Sequence, residues 1–244
     1  MAYGAAILAI RKACLAAGQS GVDSYDECLR VCCDFIRLFE SNNSHLLVLA
    51  ARSTAGNYLY AHSVNTAVLS IYLGMGLRWP KDLLSPLAIA AVGHDIGTIQ
   101  RLHPSRQAAG LAPQDYQSFD LAESDSNMWP QCLEAIATTT IQSFSEPALI
   151  QRLLSETSAA GQPPDHRHIF VQIIGLCHLY EAMTHHRDWR TPLLPNTALS
   201  LISKRAPQKI EPFVARLLLR RLSLYPPGSY VELSGGEIAC VLRA

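Results

Sequence analysis

The stretch LLSPLAIAAVGHDIG, residues 83–97, is the most informative segment of the sequence for predicting the fold. It is apolar on most sides until it reaches His94 and Asp95, and Gly97 closes it. Such a run predicts a helix buried within a bundle, because a helix at the surface keeps one polar face. A histidine followed directly by an aspartate at the end of a buried helix is costly unless both groups have partners.

A metal ion is one partner that satisfies both groups. Neighbouring helical positions point about 100° apart, so a straight helix cannot chelate easily with both side chains. At a helix end, with Gly97 giving freedom, His94 and Asp95 can converge on one ion. His62, early in a second apolar run at residues 58–77, is the obvious third ligand. The alternative is a metal-free polar cluster that holds the helices in register, and both interpretations stay open.

The rest of the chain repeats the helical pattern, with apolar residues spaced at i, i+3, i+4 and i+7. Asp23 or Ser24 is a candidate cap for the second helix. The residues after 228 alternate at period two around a Ser-Gly-Gly turn, which predicts a hairpin. The predicted class is therefore all-α, with a short C-terminal β-hairpin. Helices are predicted at residues 5–15, 24–38, 46–52, 58–77, 83–96, from 113, 130–141, 148–154, 166–186, 197–205 and 211–224, and strands at 229–233 and 238–242.

Composition excludes several function classes. The 244 residues are 49% hydrophobic and 16% charged, and 20 basic against 20 acidic side chains leave a net charge of zero. A disordered chain and a polyanion-binding protein are both disfavoured, so we expect no DNA or RNA partner. Seven cysteines in no regular framework, without a secretory segment, favour a reducing cytoplasm. No apolar stretch approaches the roughly 20 residues of a membrane span.

Four fragments, in order, resemble one family. His62, followed about thirty residues later by His94-Asp95, is similar to the metal-dependent HD-domain phosphohydrolases. The fragments Tyr60–Asn65, Tyr180–Thr184 (with Arg187 and Trp189) and Tyr225–Glu237 narrow the resemblance to the HD-GYP branch, whose members cleave cyclic di-GMP at a centre of two or three metals. The resemblance implies an HD-type helical bundle at residues 46–244, with a terminal ribbon at 225–244. Residues 1–45 are predicted to form separate N-terminal helices.

The chain departs from the family at several positions that the resemblance marks as ligands. The Gly-Tyr-Pro signature is absent, and Phe144–Pro147 stands in its place. A lysine expected after His-Asp-Ile-Gly is Thr98, and the late aspartate ligand falls at His178. Three expected histidines align near the following residues: Ala122, Thr139 and Thr140. Alanine and threonine cannot replace the carboxylate and imidazoles that a second metal needs.

Among the ligand positions that the resemblance implies, four still carry metal-binding side chains: His62, His94, Asp95 and His178. These four could bind one four-coordinate ion. It is compatible with a divalent transition metal (Zn, Fe or Mn) and equally with no metal. Arg187 is a candidate substrate-binding residue. His185 and His186 are interpreted instead as favourable charges near the C-terminus of their helix.

The predicted function is that of a degenerate HD-GYP-like protein of bacterial signalling, without efficient cyclic di-GMP hydrolysis. It would act as a regulatory or binding module, with a cyclic dinucleotide or a protein as its partner. An active metal-dependent phosphodiesterase, with His94 and Asp95 as catalytic residues, is the first alternative. A structural interaction domain without any ligand is the second.

Overall fold

A computed structural model describes residues 2–16, 22–41, 44–52, 58–94, 166–186, 191–205 and 210–243. These residues are mostly helical and end in a small antiparallel hairpin, which confirms the predicted class. The helices are α1 Ala2–Ala16, α2 Val22–Glu40, α3 His45–Ala50, α4 Tyr58–Gly76, α5 Lys81–Gly93, α6 His166–Thr184, α7 Pro195–Arg205 and α8 Pro212–Leu222. The strands are β1 Tyr230–Glu232 and β2 Ile238–Cys240.

Most helix boundaries lie within three residues of the predicted ones, and two differences are informative. The helix α2 begins at Val22, so Asp23 and Ser24 lie inside its first turn and neither is its cap. The helix α5 ends at Gly93, three residues before the predicted end. His94 is its C-cap. The His94 ring is hydrogen-bonded to the carbonyl oxygen of Ala91, one of the terminal carbonyls that have no partner within the helix. The helices predicted from residue 113, at 130–141 and at 148–154 lie outside the described residues.

The helix α4 lies at the centre of the described core and packs against α1, α5 and α6. Its small and aliphatic residues allow close packing on several sides, and the polar side chains among them are buried with it. Gly74 marks the closest approach, since a β-carbon there would lie 2.7 Å from Leu84 Cδ2 of α5. None of the helices within the described residues has the length and apolar character needed to cross a membrane.

The N-terminal helices contribute to the same hydrophobic cluster as α4 and α5. The helix α1 buries Ala9 and Ile10, and α2 buries Phe35 and two thiols, those of Cys28 and Cys32. These cysteines are small buried thiols, as the sequence predicts, and they make no disulfide. The first 45 residues therefore share a core with the bundle.

The hairpin pairs Val231 with Ala239 and turns through Gly236, which has a positive φ of 87°. Before β1, Gly228 also has a positive φ, 94°, and its N–H donates to Val241 O at 2.7 Å. A β-carbon on Gly228 would lie 2.6 Å from Ala51 Cβ, so the chain passes directly against the end of α3. Glycine is required here both for the backbone conformation and for the contact.

Candidate metal centre

Three buried histidines from three helices meet in the core. His62 comes from α4, His94 caps α5 and His178 comes from α6. Their exposed fractions are 2%, 2% and 6%. One ring nitrogen of each lies within 4.8 Å of the others, as a group that could hold a metal ion. The packing of α4 against α5 and α6 brings together residues that lie far apart in the sequence.

The three rings point nitrogen atoms at a common centre. His178 Nδ1 lies 2.9 Å from His62 Nε2 and 3.0 Å from His94 Nε2. The ring of His178 is nearly perpendicular to both others, with interplanar angles of 80° and 88°. Two zinc-bound imidazole nitrogens in tetrahedral geometry are roughly 3.3 Å apart, from Zn–N distances near 2.0 Å. The two distances from His178 Nδ1 would have to lengthen only by a few tenths of an ångström to match that spacing.

Hydrogen bonds on the far side of two rings determine which nitrogen carries the hydrogen. His62 Nδ1 contacts the Glu181 carboxylate, and His94 Nδ1 lies 2.6 Å from Ala91 O. Because a carboxylate and a carbonyl only accept hydrogen bonds, both Nδ1 atoms are donors. In the neutral rings, both Nε2 lone pairs then face His178 Nδ1.

A cation at the centre could receive a lone pair from all three nitrogens at once. Imidazole suits zinc, iron, copper and nickel, so the donor set fits a transition metal. Ligating histidines commonly donate their other N–H to a carboxylate or a backbone carbonyl. The bonds from His62 to Glu181 and from His94 to Ala91 have this arrangement.

Glu181 is fully buried and anchors a polar chain behind His62. Its second carboxylate oxygen accepts a hydrogen bond from Asn65 Nδ2 at 2.9 Å, and Tyr3 donates to Asn65 Oδ1 at 2.5 Å. Burial by itself would raise the pKa of Glu181. The attraction of His62 and His185 and the hydrogen bonds from His62 and Asn65 outweigh burial, and they hold the pKa well below its usual range. The carboxyl group is therefore ionised.

His185 is at the C-terminus of α6, as predicted, but its ring is buried and links two helices. Its Nδ1 lies 2.9 Å from Glu181 O, and its Nε2 lies 2.6 Å from Ala50 O at the end of α3. His186, beside it, is exposed. Only the second of these two histidines is thus a surface residue.

The structure brings together three of the predicted ligands, His62, His94 and His178. Asp95 and Arg187 lie outside the described residues. Sequence reasoning did not assign roles to three further residues: Tyr3, Asn65 and Glu181. A signal for two of them exists, because Asn65 and Glu181 each follow a cluster histidine by three positions and so share its helix face.

Comparison with known proteins finds a relative of known activity. The chain is 23% identical over 202 residues to a cyclic di-GMP phosphodiesterase of Pseudomonas aeruginosa. The match covers 81% of this chain and 47% of that relative, so the chain spans about half the relative's length. No protein-family model matches the chain. No solved structure matches it either.

Proposed function

We propose that this chain is an HD-GYP-like protein of bacterial cyclic di-GMP signalling that has lost efficient phosphodiesterase activity and acts as a cytoplasmic regulatory module. In this proposal its bundle holds one divalent transition metal, and its partner is a cyclic dinucleotide or a signalling protein. The similarity to a cyclic di-GMP phosphodiesterase supports the ligand class.

The observation that carries the proposal is the convergence of three imidazole nitrogens on one point. His178 is central to it, because its Nδ1 approaches both other rings. A bridging carboxylate at that position would serve two metals, whereas an imidazole nitrogen offers one lone pair to one ion. The residues at three further ligand positions of the HD-GYP pattern, Ala122, Thr139 and Thr140, cannot bind metal through imidazole or carboxylate.

The ion would be held by His62, His94 and His178, with Asp95 as a proposed fourth ligand. A bound ion of this kind supplies Lewis acidity toward a phosphoryl oxygen. Glu181 keeps the His62 hydrogen on Nδ1 and so leaves the Nε2 lone pair for the ion. When four protein groups fill a tetrahedral site, no position remains open for a reactant, which is why we propose binding without turnover.

A second candidate is an active mononuclear phosphodiesterase with His94 and Asp95 as catalytic residues. The activity of the relative favours it, since that protein is a phosphodiesterase. It requires that one of the four ligands leave a coordination position open.

The test combines metal analysis of the purified protein with hydrolysis of cyclic di-GMP in added Mn²⁺ or Fe²⁺. We expect about one metal per chain and no turnover above a metal-only control. Metal should be lost in His178→Ala and retained in His186→Ala, which removes an exposed imidazole from the same chain segment. Loss of metal with chelator should also lower the melting temperature of the wild type.

Two results would contradict the proposal. Turnover by the wild type that disappears in His94→Ala would show a working enzyme. Absence of both metal and cyclic di-GMP binding would favour a structural domain without ligands.

A further inference from the structure

A cavity of about 330 Å³ lies at the hairpin end of the described bundle and shares no lining residue with the histidine cluster. Its walls come from α3, the last turn of α6, the segment 191–195 and the residues leading into β1. Pockets that bind small molecules begin at about this size. The cavity is large enough for one compact organic molecule.

The walls are mostly aliphatic side chains and proline rings, among them Leu47, Leu69 and Leu193. No aspartate, glutamate, lysine or arginine is among the described lining residues. The one titratable imidazole among them, that of His185, directs both nitrogens at backbone carbonyls. An ionised ligand would therefore lose its hydration without finding a free hydrogen-bonding group of opposite charge among the described lining residues, which is unfavourable in an apolar site.

Two lining residues carry hydroxyl groups that have no hydrogen-bond partner within the described part of the chain. Tyr180 is only 6% exposed, and its phenol takes part in no hydrogen bond there, although a buried tyrosine usually finds one. A tyrosine hydroxyl can both donate and accept a hydrogen bond. Ser229 Oγ is the second, buried and unpaired on the ribbon side of the cavity.

The ribbon side of the cavity is rigid without a ligand. Pro226 and Pro227 are buried and have fixed φ angles. Hydrogen bonds on either side hold Ser229, from its N–H to Pro226 O and from Val241 N–H to its carbonyl. The contact of Gly228 with Ala51 fixes the distance to α3. A preformed wall reduces the entropy cost of binding.

We infer that this cavity is a small-molecule binding site for a neutral, mainly apolar ligand with one hydrogen-bonding group, which the Tyr180 hydroxyl contacts. The site is independent of the metal centre and goes beyond the proposed function. Ligand size is limited by the cavity, and a charged ligand is disfavoured because the described lining residues offer it no free group of opposite charge.

Fluorescence titration with 1-naphthol tests the inference, because this probe has an apolar double ring and one hydroxyl. We expect saturable binding at one site per chain and no binding of 1-naphthalenesulfonate, which has the same ring system and a charge. Tyr180→Phe should weaken 1-naphthol binding by about two- to tenfold, the range for one hydrogen bond. It should leave the binding of unsubstituted naphthalene unchanged.

A cavity-filling variant makes the test specific for this location. Thr184→Met places a longer side chain in the cavity and should weaken binding more than tenfold. Thr197→Met makes the same change at an exposed position outside the cavity and should bind as the wild type does. Far-UV circular dichroism tests whether each variant keeps its fold, and zinc affinity tests whether it keeps its histidine cluster.

Three results would overturn the inference. One is the absence of saturable 1-naphthol binding by the wild type. Another is equal affinity for the sulfonate. The third is unchanged affinity in a folded Thr184→Met variant, which would place the probe elsewhere on the protein.

Discussion

Replacing Glu181 with glutamine tests the connection between the buried carboxylate and the histidine cluster. The substitution keeps the shape of the side chain and removes its charge. Glu181 accepts hydrogen bonds from His62 Nδ1 and Asn65 Nδ2, and both partners are buried. Glutamine has only one oxygen, so its NH₂ group must face one of these donors.

The magnitude follows from these two contacts. Hydrogen bonds to a charged group each contribute about 1.5–3 kcal/mol, and a neutral replacement retains one of about 1 kcal/mol. We therefore expect the free energy of unfolding of Glu181→Gln, measured in urea with chelator present, to fall by about 2–5 kcal/mol. The His62 ring can relieve the clash by moving its hydrogen to Nε2. That tautomer directs a hydrogen, not a lone pair, at the centre of the cluster.

Metal binding should weaken for the same reason. Loss of the carboxylate partner of a ligating histidine typically costs 10–100-fold in metal affinity. Competition between the protein and a chromophoric chelator for Zn²⁺ measures this affinity directly. Glu232→Gln, the same change at an exposed residue of β1, is the control and should match the wild type in both assays. A Glu181→Gln protein with wild-type stability and zinc affinity would refute the reasoning.

Three further predictions concern the pH dependence of stability, the reactivity of two buried thiols and the contact of Gly228. Because the folded pKa of Glu181 lies below its unfolded value of about 4.3, this carboxylate's contribution to stability is complete above that pH and is lost as the pH falls below it. The free energy of unfolding of the wild type should therefore be lower at pH 3 than at pH 7. The decrease should be smaller in Glu181→Gln, as measured by denaturation at both pH values. Burial raises the pKa of Cys28 and of Cys177 to about 12, so iodoacetamide at pH 8 should label neither in the native protein and both after denaturation, as read by mass spectrometry. Labelling of both in the folded state would contradict their burial. Gly228→Ala should lower the free energy of unfolding by about 1–3 kcal/mol, because φ is +94° and the new methyl would meet Ala51, whereas Gly4→Ala in an open helical position should not.

Two of the three histidines could be found from the sequence because each interrupts an apolar run. A polar side chain in such a run must have a partner, so His62 and His94 stand out from the residue pattern alone. His178 also lies in an apolar run, at residues 173–180, but its interpretation as a ligand depended on the family resemblance. In the folded chain its ring lies against both of the others.

The supporting residues were harder to predict, and for a physical reason. A glutamate in a helix is most often solvated, so Glu181 does not suggest a buried role unless its helix face is known. Tyr3 reaches Asn65 from 62 positions away, and only the docking of α1 on α4 creates that contact. Helix ends were likewise harder to predict: α5 ends at Gly93, where the His94 ring bonds the Ala91 carbonyl, and the sequence pattern alone does not mark that position.

The spacing of the cluster along the chain also bears on how the protein assembles. His62 and His178 are 116 positions apart, and His94 and His178 are 84 apart. An ion held by all three would cross-link the polypeptide and remove much of the loop-closure entropy of its unfolded ensemble. On the ribosome, the cluster cannot form until α6 has emerged. Uptake of the ion by all three ligands would therefore have to wait for α6, and a chain truncated before α6 could not bind it in this way.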